Sequence, residues 1–199
     1  MSLAGTLRQA LDLGLSQSPI LLEGDPRDPV SGGEAVTPAA VLVPVVERPR
    51  PTVIFTVRTD TVRRHAGQIA FPGGRIDPGD EGPVEAALRE AEEEIALPRE
   101  RVEVIGIADR YRTITGYEVT PVIGVVPPDL PLSPQPSEVA AIFEAPLDHI
   151  LRPEHQIVRT VEWQGRERCY YEIEWEGRRI WGATAAMIVN LGRRLALVP

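Results

Sequence analysis

The chain has 199 residues, with 29 acidic and 21 basic side chains and a formal net charge of -8. All 21 basic residues are arginine, which excludes chemistries that need lysine, namely the P-loop phosphate cradle, Schiff-base catalysis and pyridoxal phosphate attachment. At 43% apolar and 25% charged the composition is that of a globular protein of about one domain, and no run approaches the roughly 18 apolar residues of a membrane span. In chain order, Leu3, Leu7, Leu11 and Leu15 form one stripe of a short amphipathic helix. The same N-terminal stretch lacks a basic cap, an apolar run and a small-residue cleavage site, so no signal peptide is expected and a cytoplasmic location is. A loop follows through Gly24, Pro26, Gly32 and Pro38, then two β-rich runs, 39–46 and 52–57, separated by the turn-like ERPRP. Phe71-Pro72-Gly73-Gly74 forces a sharp change of backbone direction, and Pro83 suits the first turn of a helix reaching about Ala96. Strand-like runs recur at 102–108, 118–126 and 139–143. Two more, 157–163 and 169–176, predict a hairpin around Gly165, and 182–195 predicts a closing helix. The proline-rich stretch 127–136 is a loop within one domain. The single Cys169 and the scattered His65, His149 and His155 offer neither an intramolecular disulfide nor a zinc site.

The negative charge is concentrated. Residues 77–94 hold eight acids and one arginine, a net of -7, whereas the other 181 residues carry a net of only -1. Charge at this density repels itself unless a cation relieves it. At 100° per residue the 83–96 helix separates into an apolar arc (Val84, Ala87, Leu88, Ala91, Ile95), an outer side (Glu85, Arg89, Glu92) and a third arc of Glu90, Glu93 and Glu94. Three carboxylates at the edge of a buried face suit a hard divalent ion with oxygen ligands, and Gly73-Gly74 can lend a carbonyl. The bland reading of the same arc is a solvated acidic face with an Arg89–Glu93 ion pair.

The segment GGRIDPGDEGPVEAALREAEEEIAL, residues 73–97, resembles the signature of Nudix hydrolases, G-x5-E-x7-R-E-U-x-E-E-x-G-U, with Arg89, Glu90, Glu93, Glu94 and Leu97 on its second half. The interval from Gly74 to Arg89 is one residue longer than the pattern, so Asp80 or Glu81 takes the first acidic position, and Ala96 replaces the late glycine. Such a spacing is typical of the coenzyme A diphosphatase subgroup. The stretch VIFTVRTDTVRRHAGQIAFPGG, residues 53–74, is similar to that subgroup's upstream motif through Arg58, Arg63, His65, Gly67, Gln68, Phe71, Pro72, Gly73 and Gly74. A looser likeness continues to the Ile180-Trp-Gly-Ala-Thr-Ala segment. The resemblance implies an α/β fold, the Nudix α/β/α sandwich around a mixed sheet, over a single domain 1–199, with residues 1–38 as an N-terminal extension and 39–199 as the core. It also implies hydrolysis of coenzyme A to 3',5'-ADP and 4'-phosphopantetheine.

For that chemistry, Glu90 and Glu94 are expected as the main ligands of Mg2+ or Mn2+, with Glu93 close by and the Gly73 carbonyl added. The resemblance gives Arg89 the task of holding a glutamate in place. Glu93 and the loop acid Glu138 are the two candidates for the general base. Arg58, Arg63 and Arg64 are the expected phosphate contacts, with Gln68 and Gly74 completing the substrate side and His65 structural. Other substrates of the family, ADP-ribose, dinucleotide polyphosphates or capped RNA, are rivals that the upstream motif disfavours, and a binding module without turnover is disfavoured by the retained carboxylates. Acidity and the lack of a basic aromatic face argue against nucleic acid as a partner. Trp163, Trp175, Trp181, Tyr170 and Tyr171 cluster near the C-terminus. Tyr171, Ile173 and Trp175 alternate at strand period, which favours packing in a sheet or a dimer interface over an adenine platform. Both a monomer and a homodimer remain open.

Overall fold

The 39–46 run is apolar at nearly every position because its strand is covered on both faces. The computed structural model describes residues 2–15, 36–59, 67–163 and 165–196. Strand β1, Thr37–Val46, is central. It pairs in parallel with β7, Tyr117–Val126, along its whole length, and antiparallel on its other side with β4, Gly73–Arg75, and with the start of β2, Thr52–Arg58. Strand β2 also pairs with β3, Ile69–Ala70, and with β8, Val139–Pro146. Strand β7 carries β5, Glu103–Ile107, and β6, Tyr111–Arg112. The result is a mixed sheet of eight strands. Parallel pairing of β1 and β7 demands a long crossover, and the helix α2, Pro83–Ile95, lies within it.

Each face of the sheet is packed against helices. Ala40, Leu42, Ile54 and Val122 meet Ala87, Ala91 and Ile95 of α2 on one side. On the other, Val43, Val45, Phe55 and Ile123 meet Leu7 and Leu11 of α1, Leu3–Leu15, and Ile188 of α4, Ala183–Leu195. Alternation along β1 sends successive side chains to opposite cores, so neither face can be polar. Leu7 and Leu11 are 1% and 4% exposed, burial of about 2 kcal/mol each; α1 is therefore part of the core rather than an appendage. The fork of Arg194 on Asp109, at 2.8 and 2.7 Å, ties α4 to the connection between β5 and β6. A short helix α3, Leu147–Ile150, leads to a second sheet of β9, Ile157–Trp163, β10, Arg166–Trp175, and β11, Arg178–Trp181. Tyr171, Ile173 and Ile180 of this sheet join the core on the α4 side.

This is the expected α/β/α sandwich around a mixed sheet. Elements β3, β4, β6, β11 and α3 were not expected as such. Each has only two to four residues, too few to display a period, and their pairing is imposed by neighbouring strands. The predicted loop through Gly24, Pro26 and Gly32 lies outside the described residues. No helix among the described residues is long and apolar enough to cross a membrane.

Candidate active site

Three segments remote in sequence meet beside the second half of α2: the Gly73-Gly74 strand, the end of β2 at Arg58, and the turn bearing Glu138. Their meeting follows from pairing. Strand β4 lies on β1 with Ala40 opposite Gly74, and Arg58 is opposite Val139, the residue after Glu138. A methyl group on Gly73 would run into the Ala40 carbonyl oxygen, and one on Gly74 would run into the Glu90 carboxylate. Gly73 is required by close approach of backbone to backbone, whereas a side chain at Gly74 would displace the Glu90 carboxylate.

Glu94 is only 4% exposed. It accepts a hydrogen bond from the Gly73 N–H at 3.2 Å, and its other oxygen lies 3.9 Å from Arg58 Nη1. Burial pushes its carboxyl up to about 7, with the charges of Glu90 and Glu138 adding to the rise, while the Gly73 bond and Arg58 oppose it. Glu90 is also raised, chiefly by burial, and Arg89 pulls it back. The Glu138 side chain is exposed and makes no hydrogen bond or ion pair with the described residues, yet its charge acts on both Glu90 and Glu94. The charge of Glu138 thus opposes ionisation of Glu90 and Glu94, and that of Glu90 opposes ionisation of Glu94, an arrangement that a hard cation relieves. Among the described residues no three acid, histidine or cysteine side chains are yet drawn together closely enough to hold an ion.

Arg89 organises the other half of the site. Its Nε and Nη2 fork Asp80 at 3.0 and 3.1 Å, its Nη1 donates to Glu90 and Glu93 at 3.1 Å each, and Nη2 reaches the Arg75 carbonyl at 3.2 Å. The outer position expected for Arg89 is thus corrected: the guanidinium is 21% exposed because the 77–82 loop folds back over it. Asp80, whose side chain is 4% exposed, is the acid it grips, and the bond to Arg89 holds the Asp80 carboxyl below its ordinary range. Glu81 instead sits at the entry of α2, with its backbone N–H on Glu85. Glu93 is 60% exposed and committed to Arg89, so it stands apart from Glu94.

Of the expected substrate contacts, Arg58, Gln68 and Gly74 lie at or beside the site, whereas Arg63 and Arg64, with the expected structural residue His65, lie outside the described residues. Arg58 donates its backbone N–H to the Gln68 carbonyl at 2.9 Å, and its buried Nε has no hydrogen-bond partner among the described residues. Sequence reasoning missed the anchoring of the proline-rich loop. The Ser133 and Gln135 N–H groups cap the Ile95 and Glu94 carbonyls at 3.0 and 2.8 Å, and the Thr59 N–H holds the Glu138 carbonyl at 2.9 Å. These are backbone contacts with no side-chain signature, so no sequence signal could have revealed them.

The helix ends at Ala96, where φ is 53° and ψ 33°. A left-handed alanine here costs about 1 kcal/mol relative to glycine. Ala96→Gly is therefore expected to raise the melting temperature by about 3 °C without changing activity, which a thermal melt and a rate measurement check together.

A family model described as NUDIX domain matches residues 36–176. The chain belongs to the Nudix family. The protein named uncharacterized Nudix hydrolase NudL from Cronobacter sakazakii is 44% identical over 161 residues, which is 81% of this chain and 84% of that protein. Its namesake from Shigella flexneri is 40% identical over 189 residues, covering 95% and 96% of the two chains. The MutT/nudix family protein from Enterococcus faecalis, at 14% identity and a TM-score of 0.50, covers 98% of this chain and 70% of its own; this is a likeness of fold. As a Nudix hydrolase the protein belongs to a family that generally works with a divalent metal such as Mg2+ or Mn2+.

Proposed function

We propose that this Nudix hydrolase cleaves the diphosphate of coenzyme A to 3',5'-ADP and 4'-phosphopantetheine. The observation that carries the reading is the 53–74 motif. Of its described parts, Arg58 and Gly73 touch the buried Glu94, Gln68 holds the Arg58 backbone, and the Arg58 Nε has no hydrogen-bond partner among the described residues. Those are the components a polyanionic substrate needs beside a metal site: a guanidinium for phosphate and small residues where the backbone must come close.

Glu90 and Glu94, with the Gly73 carbonyl as a further oxygen, are assigned to the metal. When bound, Mg2+ or Mn2+ supplies neutralisation of the phosphoryl oxygens and acidification of water. Arg89 keeps Glu90 aimed at the site and holds Glu93 on its own flank. Glu138 is the better candidate for the base, because its carboxylate is uncommitted and exposed while its charge is felt at both Glu90 and Glu94. A base must be free to accept the proton. Arg58, and the arginines of the adjoining 60–66 segment, are assigned to the substrate's phosphates.

The test is a product assay. With Mg2+ or Mn2+, the purified protein is expected to release 3',5'-ADP from coenzyme A well above its turnover of ADP-ribose, diadenosine polyphosphates or capped RNA. Metal-dependent hydrolysis of one of those rivals, with coenzyme A left intact, would replace this substrate while keeping the site.

A further inference from the structure

Among the described residues, Arg58 is the arginine that meets the buried Glu94, and its place is fixed through the backbone. Its N–H donates to the Gln68 carbonyl at 2.9 Å, its carbonyl accepts from the Gly67 N–H at 3.1 Å, and the Thr59 N–H that follows is on the Glu138 carbonyl. The register of β2 with β8 shifts between Val57 and Arg58, from Ala141 to Val139, so Ala140 is left over and Arg58 stands beside the Glu138 turn. A bulge of this kind re-aims a side chain at a strand end.

The guanidinium itself is loosely engaged. It is 29% exposed, its buried Nε has no hydrogen-bond partner among the described residues, and its Nη1 stops 3.9 Å from Glu94 Oε1, beyond hydrogen-bond reach. Arg89, by contrast, spends its donors on Asp80, Glu90, Glu93 and the Arg75 carbonyl. Arg58 keeps donors in hand for an arriving anion.

The two oxygens of Glu94 are not equivalent. Oε2 is taken by the Gly73 N–H at 3.2 Å, so Oε1 is the oxygen left open to a hard cation, and Oε1 is the one that faces Arg58. A divalent ion and the guanidinium therefore claim the same atom. Two positive groups at one carboxylate repel each other, whereas a phosphate oxygen set between them attracts both.

We infer that Arg58 couples metal binding to substrate binding: it opposes a divalent ion at Glu94 until a phosphate group lies between the two, so that metal and phosphate bind cooperatively. The inference rests on the assignments, made above, of Glu94 to the metal and of Arg58 to phosphate. Linkage makes the effect reciprocal, the metal raising the affinity for phosphate by the factor by which phosphate raises that for the metal.

Calorimetric titration of the full chain with Mg2+ reads this apart from turnover. It is done at pH 9, above the value of about 7 to which burial pushes Glu94, so that a proton does not compete for the carboxylate. Arg58→Gln is expected to bind Mg2+ about tenfold more tightly than the parent, and Arg58→Lys, which keeps the charge, within about threefold of it. Inorganic phosphate is expected to tighten Mg2+ binding about fivefold in the parent and to leave it unchanged in Arg58→Gln. Mg2+ binding that is equal or weaker in Arg58→Gln, with its circular dichroism intact, overturns the inference. So does a parent in which phosphate leaves Mg2+ binding unchanged, a result that stands even if Arg58→Gln fails to fold. Neither titration uses coenzyme A, so failure of the substrate reading in the product assay and failure of this coupling are separate results.

Discussion

Replacing Glu94 by glutamine is expected to lower turnover about a thousandfold, because the substitution removes a charged ligand worth several kcal/mol at the transition state. The same substitution should make the metal-free protein more stable at pH 8. An unfolded glutamate titrates near 4.5, while buried Glu94 is pushed up to about 7. Below the lower value both states are protonated and no penalty exists. Between the two values the folded chain holds a proton that the unfolded chain has released, so stability falls as pH rises through that window. Above it the full penalty remains, on the order of 3 kcal/mol. Glutamine still accepts the Gly73 N–H and carries no charge, so it abolishes the loss. Urea melts in chelator at pH 4 and pH 8 check this: parent and variant should nearly match at pH 4, and the variant should lead at pH 8. Added Mg2+ or Mn2+ should stabilise the parent at pH 8 and leave the variant almost unmoved. Near-normal turnover in Glu94→Gln would remove this residue from the site.

Arg89→Leu is expected to cost about a hundredfold in turnover, at the upper end of what an oriented supporting contact contributes to a metal site. The guanidinium serves Asp80, Glu90, Glu93 and the Arg75 carbonyl together, and leucine releases all four. Arg89→Lys keeps the charge but not the fork, so about a tenfold loss is expected. The comparison of two neighbouring acids separates this arrangement from a general need for acidity. Asp80→Asn should reproduce part of the Arg89 defect, and Glu81→Gln should not. Rates measured alongside circular dichroism decide the matter, and equal effects of the two acid variants would contradict Asp80 as the partner.

How much of this was legible in advance differs from element to element. The 83–96 helix was readable because its apolar positions repeat at helical spacing and Pro83 marks its start. Glu90 and Glu94 were readable as a pair for the same reason. The choice between Asp80 and Glu81 was not, since it depends on how a loop folds back over Arg89. Nor was the separation of Glu93 from Glu94: adjacent residues diverge by 100° on a helix, and only the packing of α2 on β1 decides which of them is buried.

The sequence by itself implied the family and the sandwich of helices on a mixed sheet through its resemblance to the Nudix signature, while periodicity, glycine spacing and a local excess of acid marked the residues among which the chemistry must be sought. Tertiary structure decided the rest. Pairing of β4 with β1 places Gly73 and Gly74 against Glu94 and Glu90, and pairing of β2 with β8 brings Glu138 to Arg58. Burial of Glu94 converts an acidic helix face into a site of opposed charge. Burial and pairing are sums over partners remote in the chain, and no local pattern encodes them.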